Sequence, residues 1–98
     1  MTCVVNLTIT IDPAKRTEFL TEFSAVLPVT RAYRGCHGLY LCENDDSGQI
    51  EAVSIWESRA HYEAYLQWRT DSGVLAAFAE KYFTAEPSWK FMPALMRF

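Results

Sequence analysis

Hydrophobic and polar residues alternate along the start of the chain. In the segment CVVNLTITI, the side chains of Val5, Leu7, Ile9 and Ile11 point to one side of an extended backbone, and the Asn and Thr side chains between them point to the other. Alternation of this kind, rich in β-branched residues, is typical of a strand with one buried face. The pattern therefore predicts a first β-strand with one strongly apolar side.

The next segment has helical spacing. Asp12 and Pro13 are typical of a helix start, because aspartate caps the first turn and proline suits its first position. An apolar stripe follows at helical intervals: Phe19, Leu20, Phe23, Val26 and Leu27. Pro28 predicts that the helix is kinked or divided in two, and Gly35 marks its expected end.

Two strand-like runs, HGLYLCEN and QIEAVSIWE, flank the turn sequence DDSG. Turn-forming residues between two such runs predict a β-hairpin. The alternation leaves two options for the sheet face turned away from the helices. That face carries either Tyr40 and Cys42 or Leu39 and Leu41, because neighbouring residues of a strand point to opposite faces.

A second helical region follows the hairpin. Ser58 is a capping residue for a helix from Arg59 to about Arg69. Thr70 or Asp71 is expected to cap a further helical turn, with a second apolar stripe: Val74, Leu75, Phe78, Ala79 and Tyr82.

The last strand is predicted in WKFMPALMRF, where Pro93 favours an edge position or a bulge. The complete order, β-α-β-β-α-β, predicts a single α+β domain over residues 1–98 with the ferredoxin-like arrangement, an antiparallel sheet with both helices on one face. The other sheet face keeps apolar side chains, so we expect a homodimer packed through that face.

Composition and charge narrow the partners. The net charge is −3 and no basic stripe exists, so nucleic acid and acidic membranes are not expected as partners. No apolar run approaches the ~20 residues of a membrane span. The three cysteines lack CxxC spacing and indicate neither a disulfide framework nor a metal site. We therefore expect a reduced, cytoplasmic protein.

Aromatic residues are concentrated in IWESRAHYEAYLQWR, at the end of the third strand and in the helix behind it. This segment contains two tryptophans, two tyrosines, a histidine and two arginines. Large rings with polar tips suit a protein core, and they equally suit a pocket for a flat, ring-shaped molecule.

The order of elements and several short motifs resemble the antibiotic biosynthesis monooxygenase family of dimeric α+β barrels. The matching motifs are Pro13 after the first strand, Gly35-Cys36 before the second, Trp56-Glu57-Ser58 at the end of the third, and Tyr62 six residues after the tryptophan. The resemblance covers almost the whole chain. It implies a pocket in each subunit where a polycyclic phenol, anthrone or quinol is oxidised by O2 without a cofactor.

Four residues are candidates for catalysis: Trp56, Tyr62, His61 and Arg69. The resemblance implies that Trp56 lines the pocket and donates its indole N–H to the substrate, and that Tyr62 steadies an anion. His61 has the titration range of a base, although its neighbour Tyr62 points inward and so His61 is expected to point outward. Arg69 lies two helical turns after Tyr62 on the same face and could pair with an oxyanion.

Four further residues are candidates for the pocket wall: Phe23, Tyr65, Trp68 and Phe78. Tyr65 and Trp68 flank the face of Tyr62 and Arg69, and one of the two is expected in the wall and the other at the surface. Phe23 and Phe78 face the core by their spacing. In a fold of two layers, the core and the pocket wall are the same surface.

The chain also departs from known family members. A polar position four residues before Trp56 is Ala52, and an arginine position falls near Ala76. The haem-degrading branch is a poor match, because its axial histidine falls near Ala79. Two alternatives therefore stay open: a barrel that binds an aromatic ligand or a partner without catalysis, and an isomerase or cyclase with His61 or Tyr62 as its base.

Overall fold

A computed structural model describes the whole chain, residues 1–98. The elements are β1 Cys3–Ile9, a 3-10 turn Pro13–Lys15, α1 Arg16–Ala32, β2 Cys36–Glu43, β3 Ile50–Trp56, α2 Arg59–Ser72, α3 Val74–Tyr82 and β4 Ser88–Pro93. The strands form one antiparallel sheet in the order β2-β3-β1-β4. This confirms the predicted ferredoxin-like α+β fold.

The register of the sheet determines which side chains face the helices. Val5 of β1 and Leu39 of β2 both align with Ser54 of the central strand β3, and Val5 and Ser54 are buried. These residues therefore share the helix side of the sheet. Tyr40 and Cys42 alternate with Leu39 and Leu41 along β2 and lie on the opposite face of the sheet. Of the two pairs that the sequence left open, Tyr40 and Cys42 are therefore the pair turned away from the helices.

The core consists of two clusters at opposite ends of the sheet. The first contains Cys3, Val5, Cys36, Trp56 and Tyr62. The second contains Ile9, Phe19, Ile50 and Tyr82. The helix α2 covers the first cluster, and α1 and α3 cover the second. The middle of the sheet lies between the two clusters.

The first helix differs from its prediction at its start and at Pro28. Asp12 caps the 3-10 turn, since its Oδ1 accepts a hydrogen bond of 2.9 Å from the N–H of Ala14, and α1 itself begins only at Arg16. The helix then continues through Pro28 to Ala32 without being divided. Proline lacks only its own N–H, so one hydrogen bond of the helix is lost at Pro28 while the helix continues on both sides of it.

The second helical region confirms one predicted cap and corrects another. The Oγ of Ser58 accepts a hydrogen bond from the backbone N–H three residues later, as predicted for the start of α2. The helix then continues past Thr70 and Asp71, so neither of them caps the next helix. Gly73 separates α2 from α3 with a φ of +80°, a left-handed conformation that favours glycine.

The last strand, β4, pairs only with β1 and forms an edge of the sheet. Pro93 ends this strand, in agreement with the edge position that the proline predicted. None of the helices has the length and apolar character needed to cross a membrane.

Gly35 provides a test of the packing between the turn before β2 and the start of α2. Its φ is +90°, and an added Cβ would lie 2.5 to 2.7 Å from the side chain of His61. We expect Gly35→Ala to lower the free energy of unfolding by about 2–4 kcal/mol, because left-handed strain and overpacking add. Urea denaturation measures this loss.

The matched control is Gly48→Ala. Gly48 also has a positive φ, +74°, but a Cβ there would meet no atom within 4 Å. We expect a loss of only about 1–2 kcal/mol from backbone strain. Equal losses in the two variants would show that the contact with His61 does not constrain the turn.

Candidate functional site

A cavity lies between the middle of the sheet and the helices α1, α2 and α3. It has a volume of about 70 Å³, is partly open to solvent, and is lined by 15 residues of which 12 are hydrophobic. Leu7, Leu39 and Ala52 form its floor on the sheet. A space of this size holds a few water-sized molecules, so a fused-ring ligand requires the walls to move.

The structure brings three of the four predicted wall residues to the cavity. Phe23 of α1 and Phe78 of α3 line it and pack edge to face, with ring centroids 5.3 Å apart. Tyr65 of α2 also lines it. Trp68 is outside the wall and is 40% exposed. Of the pair that the sequence could not separate, Tyr65 is therefore the wall residue and Trp68 the surface residue.

Tyr62 places a neutral hydroxyl group at the cavity wall. The side chain is buried, and its Oη accepts a hydrogen bond of 2.8 Å from the Nε1 of Trp89. Burial raises the pKa of Tyr62 to about 12, while the hydrogen bond from Trp89 opposes this shift. The hydroxyl thus keeps its proton at neutral pH, and no protein group accepts that proton. It is available to a ligand.

Arg69 joins α2 to α1 through hydrogen bonds at the wall. Its Nη2 donates to the carbonyl oxygen of Val26 at 2.8 Å and to the Oγ1 of Thr30 at 3.1 Å. Its Nε donates to the Oη of Tyr65 at 3.1 Å. The hydroxyl groups of Thr30 and Tyr65 are themselves 2.7 Å apart. These four residues form a polar network in an otherwise apolar wall.

The guanidinium of Arg69 has no counter-ion. The residue is only 8% exposed, and the ion pairs of the chain all involve other residues. Arg69 is also the only charged residue that lines the cavity. The ring of Trp68 lies 4.8 Å from its Cζ, which offsets part of the burial through a cation–π contact. The cavity therefore has one positive charge and no negative charge.

Trp56 lies behind the cavity rather than in its wall. It is fully buried, and its ring packs 5.3 Å from Tyr62 and 5.1 Å from Tyr65. It is absent from the residues that line the cavity, although we expected it there. Its indole N–H has no hydrogen-bond partner. A direct role of Trp56 toward a substrate stays a prediction.

His61 lies outside the cavity, in line with its expected outward direction. Its Nδ1 is 2.6 Å from the Oγ of Ser58, and its Nε2 is 3.5 Å from a carboxylate oxygen of Glu57. It borders a shallow surface depression near Tyr33 and Arg34. The cavity wall contains no histidine, aspartate or glutamate. No three side chains of the metal-ligating types lie together either.

Two residues of the site were missed in the sequence. Thr30 follows Val26 by four positions and Phe23 by seven, which are spacings of a single helix face, so its place in the wall could have been found. Trp89 alternates with Phe91 on the helix side of β4. Its face was predictable, but its hydrogen bond to Tyr62, 27 residues away, had no local signal.

Comparison with known proteins identifies the family. The sequence model of the family described as antibiotic biosynthesis monooxygenase matches residues 2–70. The chain belongs to this family. The match includes β1 to β3 and most of α2, and it therefore covers most elements that surround the cavity. No curated protein sequence matches the chain.

Solved structures share the fold at low sequence identity. A conserved protein from Methanosarcina mazei superposes with a TM-score of 0.81 at 12% identity, covering 93% of this chain and 90% of that one. Rv0793 from Mycobacterium tuberculosis gives 0.75 at 20% identity, covering 99% and 98%. The ActVA-Orf6 monooxygenase of Streptomyces coelicolor, in complex with nanaomycin D, gives 0.76 at 19% identity, covering 98% and 89%. These similarities establish the fold.

The raised pKa of Tyr62 predicts a loss of stability at alkaline pH. The pKa is 10.0 for an ordinary tyrosine and about 12 here, so the unfolded chain loses the proton first. The contribution of protonated Tyr62 to the free energy of unfolding is therefore complete below pH 10 and disappears as the pH rises to about 12. We expect the free energy of unfolding to fall by about 2–3 kcal/mol over this interval, measured by denaturant titration at several pH values.

The variant Tyr62→Phe isolates this contribution. In this variant the free energy of unfolding should fall less at alkaline pH. Part of the fall that remains comes from Tyr82, whose pKa is raised as well. The control Tyr40→Phe changes a tyrosine that is 63% exposed and should keep the wild-type pH dependence. An identical fall in both variants would contradict the assignment to Tyr62.

Proposed function

We propose that the protein is a monooxygenase that oxidises an aromatic phenol, anthrone or quinol with O2 inside this cavity, without a cofactor. The observation that carries the proposal is the neutral hydroxyl of Tyr62 at the wall of an apolar cavity. Membership in the family supports the reaction class. The nanaomycin D complex of the Streptomyces coelicolor protein supports a ring-shaped ligand.

The reaction balances without a further reductant. In an anthrone, a CH2 carbon becomes a carbonyl carbon: CH2 + O2 gives C=O + H2O. The substrate carbon loses two hydrogens and four electrons, one oxygen atom enters the product, and the other leaves as water. The first step is transfer of a proton from the substrate to solvent water, which leaves an electron-rich anion. That anion transfers an electron to O2, the new C–O bond forms, and the O–O bond then breaks as water leaves.

The chain contributes three features to this reaction. A ring bound between the apolar walls would displace water from them, which strengthens the electrostatic interactions inside the cavity. The hydroxyl of Tyr62 can donate a hydrogen bond to the substrate oxygen on which negative charge develops. The indole N–H of Trp89 donates to the oxygen of that hydroxyl, which leaves the proton of Tyr62 free for another acceptor.

The helix α3 provides a route for a ring to enter. Val74, Leu75 and Phe78 of this helix form one side of the cavity. The helix has only nine residues and follows the left-handed Gly73. A small change at this glycine would displace the wall of α3 and enlarge the cavity, while α1 and α2 stay joined through Arg69.

A second candidate function is binding of an aromatic ligand without turnover. The absence of histidine, aspartate and glutamate from the wall favours it, because no side chain there is suited to remove a proton at neutral pH. The isomerase or cyclase alternative has less support. Its candidate base His61 lies outside the cavity, and the raised pKa of Tyr62 makes that residue a donor rather than a base.

We also propose that two copies of the chain associate through the outer sheet face. One chain exposes 6308 Å², whereas a folded monomer of 11.2 kDa exposes about 5,700 Å². Only 13 of 98 residues are buried, which is a small core. Tyr40 and Met92 of the outer face are 63% and 43% exposed, so apolar surface remains there for a second copy.

Oxygen consumption tests the enzymatic proposal. With a panel of anthrones, naphthols and quinols in air, we expect O2 uptake for at least one compound and formation of the corresponding quinone. Tyr62→Phe should lower kcat about 10- to 1,000-fold, the range for loss of one donor to a developing anion. The control Thr17→Val, on the exposed side of α1, should leave the rate unchanged. Binding of the panel without O2 uptake would instead support the second candidate.

Light scattering coupled to size-exclusion chromatography tests the dimer. We expect a mass of twice 11.2 kDa for the wild type. Tyr40→Glu should shift the mass toward one chain, because it introduces charge into the apolar surface of the outer face. Thr17→Glu, on the exposed side of α1, should leave the dimer intact. A wild type that elutes as a monomer at all concentrations would overturn this proposal.

A further inference from the structure

We propose that the cavity selects an organic anion: a planar aromatic molecule with one carboxylate or phenolate group that pairs with the guanidinium of Arg69. The aromatic part of this proposal rests on the proposed function. The preference for an anion is inferred from the charges of the residues that line the cavity.

The guanidinium has unused hydrogen-bonding capacity. Arginine has five N–H donors, and in Arg69 the Nε and both hydrogens of Nη2 are occupied by Tyr65, Val26 and Thr30. The Nη1 group makes no hydrogen bond within the chain, and it is not among the fully buried polar atoms that lack a partner, so it is accessible. A carboxylate or phenolate oxygen can accept from such a group without displacing the helix-joining bonds. Charge-assisted hydrogen bonds of this type are among the stronger ones in proteins.

The protein compensates the charge of Arg69 only with neutral groups. Its acceptors are a carbonyl oxygen and two hydroxyl oxygens, and its other contacts are the rings of Trp68 and Tyr65 at 4.8 and 5.6 Å. The residue lies in the last turn of α2, where the helix dipole adds a partial negative charge. Dipoles and rings reduce the cost of burial but leave a full positive charge, and an entering anion neutralises it.

The remaining wall excludes other ligand classes. A cation would meet Arg69 as a like charge, with no acidic residue in the wall to compensate. A sugar or another polyol would leave most of its hydroxyls against the apolar side chains that make up twelve of the fifteen positions. A ring with one charged group matches both the apolar area and the single cation.

The geometry of α2 also gives the direction of the ligand. Tyr62 and Arg69 lie on the cavity side of the same helix, seven residues apart, or about 10 Å along its axis. The anionic group lies at the Arg69 end, and a second oxygen function can reach the hydroxyl of Tyr62. The preferred ligand is therefore elongated, with oxygen at both ends of the ring system.

Calorimetric titration with 2-naphthoate and its neutral isostere 2-naphthamide at pH 7 tests the selection. The wild type should bind the carboxylate about tenfold or more tightly than the amide, as for a hydrogen bond to a charged group. Arg69→Gln should remove this difference, so that the two compounds bind with equal affinity. Arg69→Lys should keep part of the preference, because the charge stays while the planar fork is lost.

Arg59→Gln is the matched control, since Arg59 is an exposed arginine of the same helix and should have no effect. The inference would be overturned if the wild type bound both probes with equal affinity or bound neither. It would also be overturned if Arg59→Gln had the same effect as Arg69→Gln. If Arg69→Gln fails to fold, the wild-type comparison and Arg69→Lys still decide.

Oxygen uptake, measured in parallel, separates this inference from the proposed function. A carboxylate preference lost in Arg69→Gln, with no O2 uptake for any phenol, would support the anion site and contradict the monooxygenase. If the wild type oxidises neutral substrates and shows no preference for the carboxylate, the result would support the monooxygenase and contradict the anion site.

Discussion

The hydrogen bonds of Arg69 join the two long helices that cover the sheet. The side chain extends from α2 to the carbonyl oxygen of Val26 and the hydroxyl of Thr30 in α1, and it also binds Tyr65 in its own helix. A buried charge that loses its partners destabilises a protein by several kcal/mol. The network therefore fixes the spacing of α1 and α2, and the cavity lies beside it.

Stability alone gives little reason for an arginine at this position. Apolar side chains of similar volume are often as stable as buried ionic groups, or more stable, because no charge has to leave water. A leucine or methionine could pack between the helices in the same space. The charge instead gives the apolar cavity one fixed electrostatic feature, and Tyr62, two helical turns away, gives it a hydroxyl group. Both interact more strongly with a ligand that displaces water from the apolar walls.

Much of the fold could be predicted from local patterns. Alternation gave the faces of β1, Ser58 marked the start of α2, and Pro93 indicated an edge strand. The end of α2 was predicted at about Arg69, because Thr70 and Asp71 are capping residue types, whereas the helix continues to Ser72. Helix and strand ends depend on tertiary packing as much as on local residues.

The site was less predictable than the fold. Helical spacing placed Tyr62, Tyr65 and Arg69 on one face, and the structure brings all three to the cavity. Spacing along the chain does not show how far a side chain lies from the cavity. Trp56 could therefore not be distinguished from a wall residue, although it lies behind the wall residues Tyr62 and Tyr65. The bond from Trp89 to Tyr62 joins distant parts of the chain, and only the register of β4 against β1 determines it.

The cavity contains a cation and hydrogen-bond donors but no side chain suited to remove a proton. A substrate oxidised there must lose its proton before it enters, or it must become more acidic inside. A positive charge within a few ångströms lowers the pKa of an acid by about 1–3 units, and the low polarity of the walls of this cavity strengthens that effect. The proton of a bound phenol would pass to solvent water at the open side of the cavity, and Arg69 would stabilise the phenolate that remains. In the proposed reaction, the charge that favours a bound anion would thus also stabilise the electron-rich form that reacts with O2.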